Sequence, residues 1–264
     1  MMKIGVMFKG LPLTFKESVV FAKDLGASGI QPFVTGGDIS PLMTKDERKE
    51  IKKYIRDNGL ELASVCSDFG GGIFTESNND GHLHRVISMI DLAVDLGTNI
   101  VTSHIGGVHE GPEDQGYQNA VRSVRIIGKY CESLGVDFAT ETGRETAEEL
   151  KVFLDTVDCK HVKANIDPAN LVMCIGDDPV KMVKTMGIDR IPHTHIKDGI
   201  KTGETSYAET RLGEGHVPFI EYLAALRDIG YDGYLTIERG GGEDRLAEIK
   251  IAYDYVKELL KKIY

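Results

Sequence analysis

Four acidic or imidazole side chains close four short apolar runs in the second half of the chain. Glu141 ends Asp137-Phe138-Ala139-Thr140-Glu141, and Asp167 ends Val162-Lys163-Ala164-Asn165-Ile166-Asp167. His195 ends Ile191-Pro192-His193-Thr194-His195, and Glu238 ends Tyr234-Leu235-Thr236-Ile237-Glu238. If each run is a β-strand, alternate side chains face opposite ways. Phe138, Ala164, Ile166, Ile196, Leu235 and Ile237 then share the greasy face. Glu141, Asp167, His195 and Glu238 share the other, together with Ala139, Asn165, His193 and Thr236. Three carboxylates and one imidazole form a donor set for one hard-to-borderline divalent ion: Mn²⁺ first, with Mg²⁺, Co²⁺ or Zn²⁺ also able to fit. Buried together without a cation, the carboxylates would repel and raise one another's pKa. Each residue also has an ordinary explanation when taken alone. A carboxylate at a strand end usually caps a helix or faces water, and Asp167 before Pro168 can start a turn. His193, one layer deeper, reads as a hydrogen-bonded core residue. Capping does not explain four ligand types closing four successive strands, so metal binding is expected.

The elements that must position these residues follow from the rhythm of the whole chain. Strand-like runs rich in Val, Ile and Ala fall at 4–8, 29–33, 60–65, 100–104, 137–141, 162–167, 191–195 and 234–238. Amphipathic stretches of helical period fall at about 15–25, 45–57, 80–96, 116–134, 144–155, 178–186, 217–229 and 243–263, and several stop on a glycine suited to a left-handed cap. Eight alternating strand and helix units imply a parallel sheet closed into a (β/α)₈ TIM barrel, whose active site sits at the C-terminal ends of the strands. An open doubly wound sheet is the rival, and the first strand-to-helix turn lacks the Gly-x-Gly-x-x-Gly it would carry. No Pro- or Ser-rich linker divides the chain, so one barrel domain over 1–264 is expected.

Composition narrows the partners. Lys and Arg total 31 against 41 Asp and Glu, a formal charge of −10. Such a field repels phosphate backbones and anionic lipid, so no nucleic acid and no membrane partner is expected. Cys66, Cys131, Cys159 and Cys174 form no Cys-x-x-Cys pair, and Met1-Met2-Lys3-Ile4-Gly5-Val6 runs into strand-like sequence; both suit a reducing cytoplasm. No apolar run approaches the roughly 20 residues that span a bilayer.

Three further stretches carry a family resemblance: His195-Ile196-Lys197-Asp198; Leu212-Gly213-Glu214-Gly215 with Val217-Pro218-Phe219; and Gly230-Tyr231-Asp232-Gly233-Tyr234-Leu235-Thr236-Ile237-Glu238. With the strand-end residues, they resemble the xylose isomerase-like TIM barrel superfamily of sugar isomerases and epimerases, which also includes inosose dehydratases and endonuclease IV. The resemblance covers nearly the whole chain and implies a single metal held by Glu141, Asp167, His195 and Glu238, the set that parity selects. It also implies a small sugar or polyol substrate, and a homo-oligomer, since such relatives are often dimers or tetramers. Tyr253, Tyr255 and Tyr264 can pack at an interface or against the barrel wall. Endonuclease IV has a three-metal, His-rich cluster, whereas here Asn170 stands three residues after Asp167, strand three ends in Cys66-Ser67-Asp68, and no Asp-x-His pair follows His195. Ketose 3-epimerases commonly have His at the place of Asn170, and many relatives have Glu at the place of Gln31.

The activity this implies is proton transfer next to a carbonyl, with ketose 3-epimerase chemistry favoured. A metal chelating the carbonyl and the neighbouring hydroxyl would stabilise the enediolate, with Glu141 and Glu238 as the acid/base pair. The same chemistry in an inosose dehydratase-like lyase, or a non-catalytic sugar-binding barrel, are the alternatives. His104, His109, Asn170, Lys197 and Arg211 are candidate substrate contacts. His109 lies in a Gly-rich loop, 105–116, that can act as a lid. Arg211 is the residue expected to meet a substrate phosphate, although the sequence holds no dedicated phosphate loop and an unphosphorylated substrate is favoured.

Overall fold

The computed structural model describes residues 1–70, 74–76 and 79–264. In chain order the first half contains β1 (Lys3–Phe8), α1 (Phe15–Leu25), β2 (Gly29–Pro32), α2 (Lys45–Asp57), β3 (Glu61–Leu62), β4 (Val65–Cys66), α3 (Asp80–Leu96), β5 (Ile100–Ser103) and α4 (Gln115–Leu134). The second half contains β6 (Asp137–Glu141), α5 (Ala147–Val157), β7 (Val162–Ile166), α6 (Pro168–Asn170), α7 (Pro179–Met186), β8 (His193–Ile196), β9 (Asp198–Lys201), β10 (Tyr207–Thr210), α8 (Phe219–Asp228), β11 (Tyr234–Ile237) and α9 (Arg245–Ile263).

Nine parallel strands run in the order β3-β2-β1-β11-β8-β7-β6-β5-β4. They make eight staves, because β3 and β4 lie along one. The run expected as a single strand at 60–65 is divided. Its first half, Glu61–Leu62, pairs with Gly29 and Ile30 of β2, and its second half, Val65–Cys66, pairs with Val101 and Thr102 of β5. Phe33 bridges Cys66, and the Val34 N–H donates to the Cys66 carbonyl at 3.0 Å, which brings the two edges together. The fold is the (β/α)₈ barrel that the alternation of elements implies.

Local chemistry explains where the helices begin. Thr14 and Glu17, Thr44 and Glu47, and Thr146 and Glu149 each form a reciprocal capping box. The third box starts α5 at Ala147 rather than at 144, leaving Gly143, Arg144 and Glu145 on the rim. Strand parity holds on both faces. Phe138, Ala164, Ile166, Ile196, Leu235 and Ile237 join the apolar layer between strands and helices, each large aliphatic or aromatic member contributing about 1.5–3 kcal/mol through burial. Gln31, Ser64, Thr102, Asn165, His193 and Thr236 are buried as well and are polar. The barrel therefore has a greasy jacket and a polar lumen.

Two elements after the strand tips lie outside the simple alternation. β7 is followed by α6 and a π-helical turn, Leu171–Ile175. β8 is followed by the antiparallel hairpin β9–β10, whose polar turn hides the period-two signal. The buried Asp198 carboxylate ties this hairpin down by accepting backbone N–H groups from Gly199, Gly213 and Gly215 at 2.9 Å each and from Val217 at 3.2 Å. This knot gives the Leu212-Gly213-Glu214-Gly215 motif its physical reason. A Cβ on Gly215 would fall 2.2 Å from Asp198 Oδ1, so only glycine fits. No helix among the described residues is long and apolar enough to cross a membrane.

Removing a buried carboxylate that satisfies four N–H groups leaves them unpaired. Asp198→Ala is expected to lower the unfolding free energy by about 3 kcal/mol, read by urea denaturation. Glu204→Ala, on the exposed hairpin turn, should stay within about 0.5 kcal/mol of the parent.

Candidate metal centre

The strands β6, β7, β8 and β11 are neighbours in the sheet, and their register brings the four strand-end residues to one level. Glu141 pairs with Asn165, Asn165 with His193, and Thr236 with His195. Glu141, Asp167, His195 and Glu238 are all buried, and one donor atom from each lies within 4.8 Å of the others. His195 Nδ1 is 3.0 Å from Glu238 Oε2, 3.3 Å from Glu141 Oε1 and 3.8 Å from Asp167 Oδ2. Asp167 does two jobs with two oxygens. Its Oδ1 caps α6, accepting from the N–H groups of Ala169 and Asn170 at 2.9 and 3.0 Å. Its Oδ2 faces the cluster and, like Glu238 Oε2, is buried and accepts no hydrogen bond. Two orphaned carboxylate oxygens beside an imidazole nitrogen fit a divalent cation.

Charge supports the same fit. Burial pushes the Asp167 and Glu238 carboxyls up, but the Lys197 ammonium outweighs it and holds both below the usual range, Glu238 well below. Burial opposes charging His195, yet Glu141 and the approach of all three carboxylates to Nδ1 raise it well above an ordinary imidazole. Lys197 Nζ sits 3.4 Å from Asp167 Oδ2 and 3.3 Å from both Glu238 Oε1 and Asn170 Oδ1. His193 lies one layer deeper, its Nε2 3.2 Å from Ser64 Oγ, and burial followed by the His195 charge holds it well below the usual range.

The other expected contacts divide into two groups. His104 Nδ1 meets Asp68 Oδ2 at 2.9 Å, while its Nε2 faces Glu141 Oε1 at 3.6 Å. Glu141, assisted by Asp68, lifts this imidazole to about 9. Asn170 donates to Glu141 Oε1 at 3.2 Å and to the Thr142 carbonyl at 3.1 Å, so its amide holds a member of the cluster. His109 stands apart from the cluster in the turn Val108–Glu110, its Nε2 3.2 Å from Glu110 Oε1. Arg211 lies just after the hairpin, half exposed, with Nε 3.5 Å from Glu248 Oε1, and is not among the residues lining the cavity beside Glu141.

Beside Glu141 and His104 opens a cavity of about 350 Å³, lined also by Asp68, His109, Arg144 and Glu145. The loop expected as a lid forms its wall.

The match to the family model for the xylose isomerase-like TIM barrel spans residues 19–259. The chain belongs to the xylose isomerase-like TIM barrel family. Within this family it is similar to a fructoselysine 3-epimerase of Shigella flexneri, 24% identical over 233 residues that cover 82% of each chain. It is also similar to a D-psicose 3-epimerase of Enterocloster bolteae, 26% identical over 239 residues covering 82% of this chain and 74% of that protein. Among solved structures, a xylose isomerase domain protein from Planctomyces limnophilus superposes with a TM-score of 0.85 at 23% identity, covering 99% of this chain and 98% of that one.

Two residues of this site were not among the expected site residues: Lys9, and Gln31, which sequence reasoning noted only as standing where many relatives have Glu. Lys9, one residue past β1, ion-pairs with Glu238 Oε1 opposite Lys197; extending the strand-end test to the first strand would have found it. Gln31 Oε1 accepts from His195 Nε2 at 2.9 Å, and Gln31 Nε2 donates to Thr102 Oγ1 at 2.8 Å. That chain fixes the amide, places the imidazole N–H on Nε2 and turns Nδ1 toward the carboxylates. Outer partners of this kind tune metal affinity ten- to hundredfold. Titration calorimetry with Mn²⁺ should therefore show Gln31→Leu binding about ten- to hundredfold more weakly, with Gln31→Glu, which keeps an acceptor, retaining most of the affinity.

Burial also lifts the Glu145 carboxyl, from 4.5 to about 7. The folded protein keeps a proton that the unfolded chain has released, so this stabilisation is fully present below about pH 4.5 and is lost as pH rises through about 7, a change of about 3 kcal/mol. Glu145→Gln cannot ionise, and urea titrations between about pH 5 and about pH 8 are expected to give a flatter stability curve than the parent's.

Proposed function

We propose that this chain is a divalent-metal-dependent ketose epimerase that inverts a carbon next to a carbonyl, with ketose 3-epimerase chemistry the best fit. The observation that carries this is the buried convergence of Glu141, Asp167, His195 and Glu238, with two of the three carboxylates turning inward an oxygen that accepts no hydrogen bond. The names of the similar fructoselysine and D-psicose 3-epimerases supply the reaction class. Glu141, Asp167, His195 and Glu238 would hold the ion, Mn²⁺ first by donor type. The ion's contribution is Lewis-acid stabilisation of the negative charge that develops on oxygen when a neighbouring C–H is broken.

The chain's own groups do the rest. One of Glu141 and Glu238 takes the proton from carbon as the C–H electron pair moves into the enediolate. The other gives a proton back on the opposite face, so the product is the epimer and no atom is gained or lost. Lys9 and Lys197 grip Glu238 Oε1 from two sides and direct its remaining oxygen inward. Asn170 holds Glu141, and Asp68 orients His104 so that Nε2 presents a hydrogen-bonding edge beside it. Asp167, capped into α6, and His195, locked by Gln31, serve to fix the ion.

With Mn²⁺ and a panel of ketoses in D₂O, the parent is expected to wash deuterium into the reacting carbon without change of carbon skeleton. Chelation should abolish exchange and Mn²⁺ restore it. Glu141→Gln and Glu238→Gln should each slow it by about 10²–10⁴-fold. Loss of water from the substrate would assign a dehydratase instead, and exchange persisting in both variants would remove these residues from the proton path.

A further inference from the structure

We propose that the cavity beside the metal centre is a subsite for an anionic substituent of the substrate, a phosphate or a carboxylate, and that Arg144 receives it. This names the substrate class of the epimerase proposed above and rests on that assignment for its link to turnover. The cavity shares Glu141 and His104 with the centre, so whatever enters it lies next to the reacting group. Its volume, about 350 Å³, is that of a small-molecule site.

The charges on its wall are matched, with one exception. Asp68 is paired with His104 at 2.9 Å, and Glu141 is held by Asn170 at 3.2 Å and His195 at 3.3 Å. Glu145 is buried and accepts the Gly143 N–H at 3.0 Å, and His109 faces Glu110 at 3.2 Å. The Arg144 side chain is exposed, and its guanidinium makes no hydrogen bond or ion pair among the described residues. It stands three residues after Glu141, between the end of β6 and the Thr146 capping box. The backbone beneath it is therefore fixed at both ends while the guanidinium is free. A planar fork with no partner to give up suits bidentate capture of phosphate or carboxylate. On a chain of formal charge −10, an unmatched cation at the mouth of the site also gives an anionic substrate a local point of attraction. Arg211, expected from sequence to play this part, is taken up by Glu248.

Non-reacting polyols separate binding from catalysis. Ribitol, ribitol 5-phosphate and gluconate are titrated calorimetrically into the protein, with Mn²⁺ and again with chelator, and inorganic phosphate is titrated alone. At least one charged polyol is expected to bind parent protein about tenfold or more tightly than ribitol. Ribitol 5-phosphate and gluconate distinguish phosphate from carboxylate. Arg144→Ala should erase the preference while leaving the affinity for ribitol and the thermal midpoint unchanged, and Arg144→Lys should keep part of it. The subsite is overturned if the parent binds charged and neutral polyols alike or binds no charged polyol. It is overturned equally if the preference survives in Arg144→Ala, or if inorganic phosphate binds as well to that variant as to the parent. Failure of the two proposals is distinguishable. An Arg144-dependent preference with no deuterium exchange on any ketose removes the epimerase and keeps the subsite, while exchange without a charge preference does the reverse.

Discussion

Everything at the mouth of this barrel depends on placing three carboxylates where water cannot separate them. At about 4 Å and an effective dielectric near 20, each like-charged pair would cost on the order of 4 kcal/mol, and burial adds to that. The protein answers with positive charge from two strands: Lys9 after β1, and His195 and Lys197 at and just after the end of β8. With His195 protonated, three cations face three anions and the cluster is neutral. A divalent ion in place of that proton would leave the site with one positive charge in excess, an environment that would favour an anion forming inside it.

Geometry at the cluster comes from partners one layer out. Gln31, anchored by Thr102, whose hydroxyl donates to the Val65 carbonyl at 3.4 Å, sets which imidazole nitrogen faces inward. Thr142 binds the backbone of Asp167 in both directions, donating to its carbonyl at 3.1 Å and accepting its N–H at 2.8 Å. Asp198 gathers four N–H groups into the knot that closes the loop after β10. Each is a buried polar group whose bonding is settled within the scaffold, so the donors at the centre inherit the rigidity of the sheet rather than the mobility of loops.

The cavity beside Glu141 shows how the family barrel leaves room for variation. Apart from Thr140 and Glu141 of β6 itself, its walls come from segments following β4, β5 and β6, outside the strands. Side chains there can change without disturbing the staves. Arg144 and Glu145 adjoin in sequence yet differ in circumstance, one exposed and unpaired, the other buried and bound to the Gly143 N–H.

The eight-stave plan and the identity of Glu141, Asp167, His195 and Glu238 were legible in the sequence because both rest on local periodicity. Alternation along a strand fixes the facing of a side chain whatever lies across the barrel. The division of β3 from β4 was not legible, since it reflects a change of hydrogen-bonding partner rather than of residue type. The hairpin β9–β10 was hidden by its polar turn. Only the tertiary structure decided who meets whom: Lys9 reaches Glu238 across 229 residues of chain and Gln31 reaches His195 across 164. It likewise sent Arg211 to Glu248 and left Arg144 free. Periodicity is a property of neighbours in the chain, whereas pairing and charge balance belong to neighbours in space, and closing the barrel is what makes the second set.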